Sequence, residues 1–247
     1  MNQPLTSHLT SNVVDTALIF EGGGMRASYT AAVVATLLKE QLFFNHVSGV
    51  SAGSSNTVNY LSRDAERART SFVEFAADPQ FGDLRTFVRG KGLFNAEYIY
   101  EKTSGPGQAL PFDWGTFQAN PARMRLGAFR VDTGETLYWT KENISCLRDL
   151  MVRVRASSTM PIAMPTVTID GVDYVDGAMG TSGGIPLEAA QMDGYKRFVV
   201  VLTRERGYVK RPIGSAAFYR RHYRNAPALA EAILHREVNA SVHAELL

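Results

Sequence analysis

Two short stretches of this chain carry residues suited to covalent chemistry: a serine between glycines, Gly49-Val50-Ser51-Ala52-Gly53, and an aspartate closing an extended run, Asp176-Gly177-Ala178. A G-x-S-x-G sequence with strand-like residues before it and helix-like residues after it meets the needs of a nucleophile elbow. The turn is tight, the glycines remove side chains where strand and helix would collide, and the serine hydroxyl is lifted to the helix start. The same pattern also suits a serine near the N-cap of an ordinary α/β crossing. A third stretch, Glu21-Gly22-Gly23-Gly24-Met25-Arg26, sets three glycines between a strand and an alanine-rich run. Unobstructed backbone N–H groups at a helix start favour an anion or a developing oxyanion. No Gly-Lys-Ser or Gly-Lys-Thr follows, and a residue near Ser28 occupies the third glycine position of G-x-G-x-x-G, so neither nucleotide fingerprint fits.

The elements around these residues read as a βαβα unit. Ala17-Leu18-Ile19-Phe20 predicts a buried strand, Ala27 to Lys39 a helix, about His46 to Val50 a second strand and Ala52 to Leu61 the helix behind the elbow. A parallel pair with a right-handed crossover places the glycine loop and Ser51 at the carboxyl ends of adjacent strands. The N–H groups of Gly22, Gly23, Gly24 or Met25, with that of Ala52, are then the candidate oxyanion hole. Arg26 is a candidate contact for an anionic substrate, or a salt-bridged residue at the helix start.

Further along, Leu84 to Asn120 mixes glycine and proline with Phe87, Leu93, Phe94, Tyr98, Ile99, Tyr100, Phe112, Trp114 and Phe117. Such a segment suits either a cover or wall for an acyl chain, or a satellite core. Arg125 to Arg130 and Leu137 to Thr140 read as strands, and Cys146 to Ser157 as a helix with Cys146 in packing. The helix ends in the hydroxyl-rich turn Ala156-Ser157-Ser158-Thr159-Met160-Pro161. Asp170-Gly171 between two short apolar runs signals a hairpin. That assigns Asp170 to the turn, Asp173 to the strand surface and Asp176 to the end of the strand, where a base is best placed. Leu187 to Met192 predicts a helix, and the apolar run Phe198 to Leu202 a central parallel strand.

Composition narrows the function classes. The chain has 247 residues, 45% of them hydrophobic, and a formal charge of +2, which does not suggest a nucleic-acid binder. Its one cysteine, Cys146, excludes an intrachain disulfide framework. No secretory leader and no transmembrane span is visible, so a cytoplasmic location is expected. The expected organisation is a flexible N-terminus over 1–14, a catalytic domain over 15–205 and a basic helical extension over 206–247. Between Arg204 and Arg224, the residues Arg204, Arg206, Lys210, Arg211, Arg220, Arg221 and Arg224 stand against Glu205 alone. This run suits a solvated face or peripheral contact with an anionic membrane surface. Nothing in the pattern specifies an oligomeric state.

Two bases are open to Ser51. The order Ser51, Asp176, His222 satisfies an α/β-hydrolase triad, although His222 lies in Tyr219-Arg220-Arg221-His222-Tyr223 without a loop signal. His8, His46, His235 and His243 read as surface or packing residues. The economical alternative is a dyad in which Asp176 takes the Ser51 proton directly.

At this point the three motifs, in order, resemble those of the patatin-like phospholipase family, in its branch of small bacterial esterases. The glycine loop falls on Gly22-Gly23-Gly24-Met25-Arg26, with Ala27 in place of a final glycine. The elbow falls on Gly49 to Gly53, the Asp-Gly-Ala element on Asp176 to Ala178, and Ala156 to Pro161 resembles the segment between them. The likeness spans roughly residues 17 to 203. It implies a three-layer α/β/α sandwich with a central, mostly parallel sheet, a Ser51–Asp176 dyad, an oxyanion hole in the glycine loop, and acyl-ester or phospholipid substrates. No cofactor or metal is expected. A catalytically inactive lipid-binding relative and an acyltransferase use of the same dyad are the remaining alternatives.

Overall fold

A computed structural model of the chain describes residues 9–75, 94–205 and 214–245, with residues 78, 82 and 208 between them. Among the described residues seven strands form one sheet. Its centre is parallel: β3 (Arg123–Arg130), β2 (His46–Val50), β1 (Ala17–Phe20) and β7 (Phe198–Val201) lie side by side in that order. β4 (Thr136–Trp139), β5 (Val167–Ile169) and β6 (Val172–Asp176) complete it, with β4 and β6 antiparallel to β3 and β5 antiparallel to β6.

Helices cover both faces, and the side-chain alternation of the strands explains how. In β1, Leu18 and Phe20 point into one core with Val34 of α1 (Ala27–Lys39), Val58 of α2 (Ala52–Leu61), Ala68 of α3 (Ala65–Phe72) and Phe117 of α4 (Trp114–Ala119). Val154 of α5 (Leu147–Ser157) joins the same cluster. Ala17 and Ile19 point the other way, against Ala190 of α6 (Leu187–Met192). β1 is fully buried on both faces, which is why its sequence is a continuous apolar run. On α6's side of the sheet, Leu229 and Ile233 of α8 (Pro227–Glu245) pack on Phe129, Val175 and Met179. The described part of 206–247 therefore rests on the sheet, preceded by the short α7 (Ala216–His222).

The register around β3 positions the site. Leu126 and Gly127 pair at once with Gly49 and Val50 of β2 and with Trp139 and Tyr138 of β4. Ala128 and Phe129 pair with β4 and with Asp176 and Val175 of β6. A strand has two edges, so β2 and β6 share the edge opposite β4 and meet on it end to end. Val50 lies opposite Gly127 and Asp176 opposite Ala128, so adjacent β3 residues bring the end of each strand to one place. The β5–β6 hairpin holds Asp176 in register through a two-residue turn with positive φ at Asp170 (51°) and Gly171 (78°), the mirror-image geometry that suits the twist of the strands.

Three expectations change, and part of two others falls outside the described residues. β7 pairs only with β1 among the described strands and ends the sheet, with Val199 exposed, so the run at 198–202 is not a central strand. The start of the chain is tied down before residue 14: the N–H groups of Asn12 and Val13 both donate to Phe43 O. Cys146 is exposed at the N-cap of α5, not packed. Gly90, Gly92, Phe87 and Leu93 of the aromatic segment, with Arg206, Lys210 and Arg211 of the basic run, lie outside the described residues.

Candidate active site

Ser51 sits where β2 turns into α2, with φ 57° and ψ −131°. A non-glycine residue in this region stores roughly 1–3 kcal/mol of strain, which the surroundings must impose. They do so by close packing: a Cβ on Gly49 would stand 2.2 Å from Gly53 O, and one on Gly53 would stand 2.2 Å from Phe20 O. Only glycines let α2 start this close to the sheet. The first turn is closed on Ser51 O, which accepts from Ser54 N–H at 2.9 Å and from Ser54 Oγ at 2.6 Å.

The Ser51 hydroxyl donates to Asp176 Oδ2 at 2.7 Å, and both residues are buried, 8% and 3% exposed. Asp176 is itself held from two sides: Oδ1 accepts from Ala178 N–H at 2.9 Å, and its own N–H donates to Thr159 O at 2.8 Å. The rivals are placed elsewhere, Asp170 in the hairpin turn and Asp173 accepting from Thr168 Oγ1 at 2.6 Å. His222 is exposed at the end of α7, its ring 5.7 Å from Phe218 and 4.7 Å from Tyr223, and it does not line the cavity at Ser51.

The glycine loop divides by role. Gly22 N–H donates to Gly184 O at 2.9 Å, so it is not free to hold an oxyanion, and Gly22 serves by leaving room beside Ser51 Cβ. Gly23 packs on Thr203, which donates from Oγ1 to Glu21 Oε2 and Gly22 O, both at 3.0 Å, and pins the loop to the end of β7. Gly24 takes a positive φ of 56° at the start of the 3-10 turn Gly24–Arg26. Gly24, Met25, Ser51 and Ala52 line one cavity. Arg26 is exposed and makes no close ion pair among the described residues, although the Glu21 charge acts on it. Desolvation, then the charge of Arg204, holds its pKa below the usual value.

The cavity measures about 110 Å³, and its walls are mainly apolar, with Val58, Phe72, Phe75, Leu110, Val154 and Met164 among them. The aromatic segment is split by the structure: Phe94, Ile99 and Tyr100 reach this cavity, whereas Phe112 and Phe117 belong to the core. Ser55, Ser158 and Tyr100 add hydroxyls near Ser51. Burial, with the Asp176 carboxylate nearby, raises the Tyr100 phenol. Arg67, another wall residue, donates to Leu110 O, to Asn59 Oδ1 and to Ser104 Oγ. Burial lowers its pKa to about 10. Sequence reasoning did not single out Arg67, Ser157, Gly184 or Thr203, and only Ser157 lay in a stretch with a visible signal, the hydroxyl-rich turn. Among the described residues no group of three His, Cys, Asp or Glu side chains is arranged to hold a metal.

The fold and the site together define an α/β protein with a strained serine, at the end of a parallel strand, hydrogen-bonded to a buried aspartate. The family model described as Patatin-like phospholipase matches residues 18–190, and the chain belongs to that family. It is 28% identical over 204 residues to YjjU of Escherichia coli (strain K12), an uncharacterized protein, a match covering 76% of this chain and 51% of that one. The chain thus spans about half the length of this curated relative. Among solved structures, VipD from Legionella pneumophila aligns with a TM-score of 0.43 at 12% identity, over 66% of this chain and 46% of VipD.

Proposed function

We propose that this chain is a serine acyl-ester hydrolase of the lipase, phospholipase A or lysophospholipase type. The observation that carries this reading is the Ser51 hydroxyl donating to Asp176 Oδ2 at 2.7 Å beside an apolar cavity. Asp176 accepts the proton as Ser51 Oγ attacks the ester carbonyl, and returns it to the leaving alcohol. The N–H groups of Gly24, Met25 and Ala52, with Gly23 beside them, hold the oxyanion, and the apolar walls take the acyl chain. Water then releases the acid from the acyl-enzyme, with Asp176 again as base.

Among the described residues no helix is long and apolar enough to cross a membrane. Exposed Met25, Tyr29 and Arg26 on and just after the glycine loop suit a cytoplasmic enzyme meeting an anionic lipid surface at its periphery.

The test is hydrolysis of short and medium-chain p-nitrophenyl esters. Ser51→Ala and Asp176→Asn are expected to lose at least about 100-fold in kcat, while His222→Ala keeps it. Activity surviving in Ser51→Ala, or lost in His222→Ala, would reject the dyad.

A further inference from the structure

Resting on the reading of Ser51 as nucleophile, we infer that Ser157 is a positioning residue that holds the strained nucleophile by completing the sheet's hydrogen-bond ladder with its side chain. Its hydroxyl accepts from Ser51 N–H at 3.0 Å and donates to Gly127 O at 2.6 Å, and the residue is fully buried. Val50 is the last β2 residue paired with β3, opposite Gly127. In a parallel ladder the next rung from that pair runs from the following N–H, here Ser51, to the Gly127 carbonyl. Ser51 cannot make it directly, because at φ 57° the chain has already left the strand to enter α2. The Ser157 hydroxyl, delivered by the last residue of α5, stands in the gap and satisfies both groups.

The chemistry needs a group of this kind. A hydroxyl both accepts and donates, and is small enough to fit between two backbone groups. With it, the Ser51 N–H is fixed away from the cavity, so that Ala52 and the glycine loop are left to meet the oxyanion and the Ser51 side chain is aimed at Asp176. Without it, two buried backbone groups lose their partner and the strained turn can relax. A small displacement of a nucleophile lowers kcat steeply and leaves substrate binding in the distant apolar walls nearly unchanged.

The experiment compares wild type, Ser51→Ala, Ser157→Ala, Ser157→Cys and Ser62→Ala. Ser62 is a buried serine at the far end of α2, donating to Asn59 O at 3.0 Å, and controls for loss of a buried hydroxyl. Melting temperature, kcat and KM on p-nitrophenyl butyrate, and the rate of covalent labelling by a fluorophosphonate are measured for each. Ser157→Ala is expected to lose at least about tenfold in kcat with KM within about twofold, and labelling should slow in parallel. Ser157→Cys keeps the volume with a weak donor and acceptor, and should fall between. It also decides the matter if Ser157→Ala fails to fold. Ser62→Ala should keep full kcat. The inference is overturned if Ser157→Cys and any folded Ser157→Ala stay within about twofold of wild-type kcat, or if Ser62→Ala slows turnover as much. A wild type without esterase activity, or an active Ser51→Ala, would instead remove the underlying reading and the inference with it.

Discussion

Gly53 shows how little freedom the elbow leaves. A methyl group there would meet the backbone oxygens of Phe20 and Glu21, at 2.2 and 2.9 Å, and neither is a flexible side chain that could move aside. Gly53→Ala is therefore expected to push α2 off the sheet, costing at least about 1–3 kcal/mol and abolishing turnover. Urea denaturation and the ester assay together check this, since retained stability would show that the packing yields. The residues at this scale are the most legible in the sequence, because strand, turn and serine are contiguous and the glycines announce the close approach. Gly22 was misassigned for a reason local sequence cannot supply: its N–H is captured by Gly184, some 160 residues on. The Ser157 bridge is invisible for the same reason, its partners lying just past the end of β2 and on β3.

At the scale of elements, the cavity proposed to take the acyl chain is built where α2, α3 and α5 meet the segment from Phe94 to Leu110. Each methylene buried there is worth about 0.8 kcal/mol, or close to fourfold in kcat/KM, until the cavity is full. Met164→Trp, at a half-buried wall position, should remove the gain from longer acyl chains while leaving short esters unaffected; a p-nitrophenyl ester series reads this directly. Arg67 ties α3 to that segment through Leu110 O and Ser104 Oγ and to α2 through Asn59 Oδ1, so Arg67→Met is expected to lower stability by roughly 2–4 kcal/mol, visible as an earlier denaturation midpoint. Periodicity and turn chemistry identified most of these elements. They could not place β7 at the end of the sheet, because an apolar run records burial and not which neighbours supply it.

Across the whole molecule, the end of the sheet opposite Ser51 is closed by a polar lock. His46 is fully buried with Nδ1 3.1 Å from Asp193 Oδ2, and Arg125 holds the same carboxylate at 2.9 Å through Nε. Burial lowers the His46 pKa from 6.5 to about 4, and the Arg125 hydrogen bond lowers that of Asp193. Between these His46 values the unfolded chain binds the extra proton, so stability is full above about pH 6.5 and is lost as pH falls towards 4. Asp193 adds to the loss in the same direction as pH falls through its folded pKa. The His46 share is roughly 3 kcal/mol. Denaturation of His46→Gln as a function of pH should give a flatter profile over this window than wild type; an unchanged slope would assign the acid sensitivity to other groups.

The end-to-end meeting of β2 and β6 on one edge of β3 has a consequence in time. Ser51 leaves a ribosome 125 residues before Asp176, and the two meet only when the hairpin has docked beside the elbow. With Ser51 and Asp176 as the proposed dyad, a nascent or half-refolded chain thus carries an ordinary serine with no base. Hydrolytic power should return on refolding with the slowest structural phase, never ahead of it. On the proposed dyad, the topology works as a safety catch, released by the completion of the sheet.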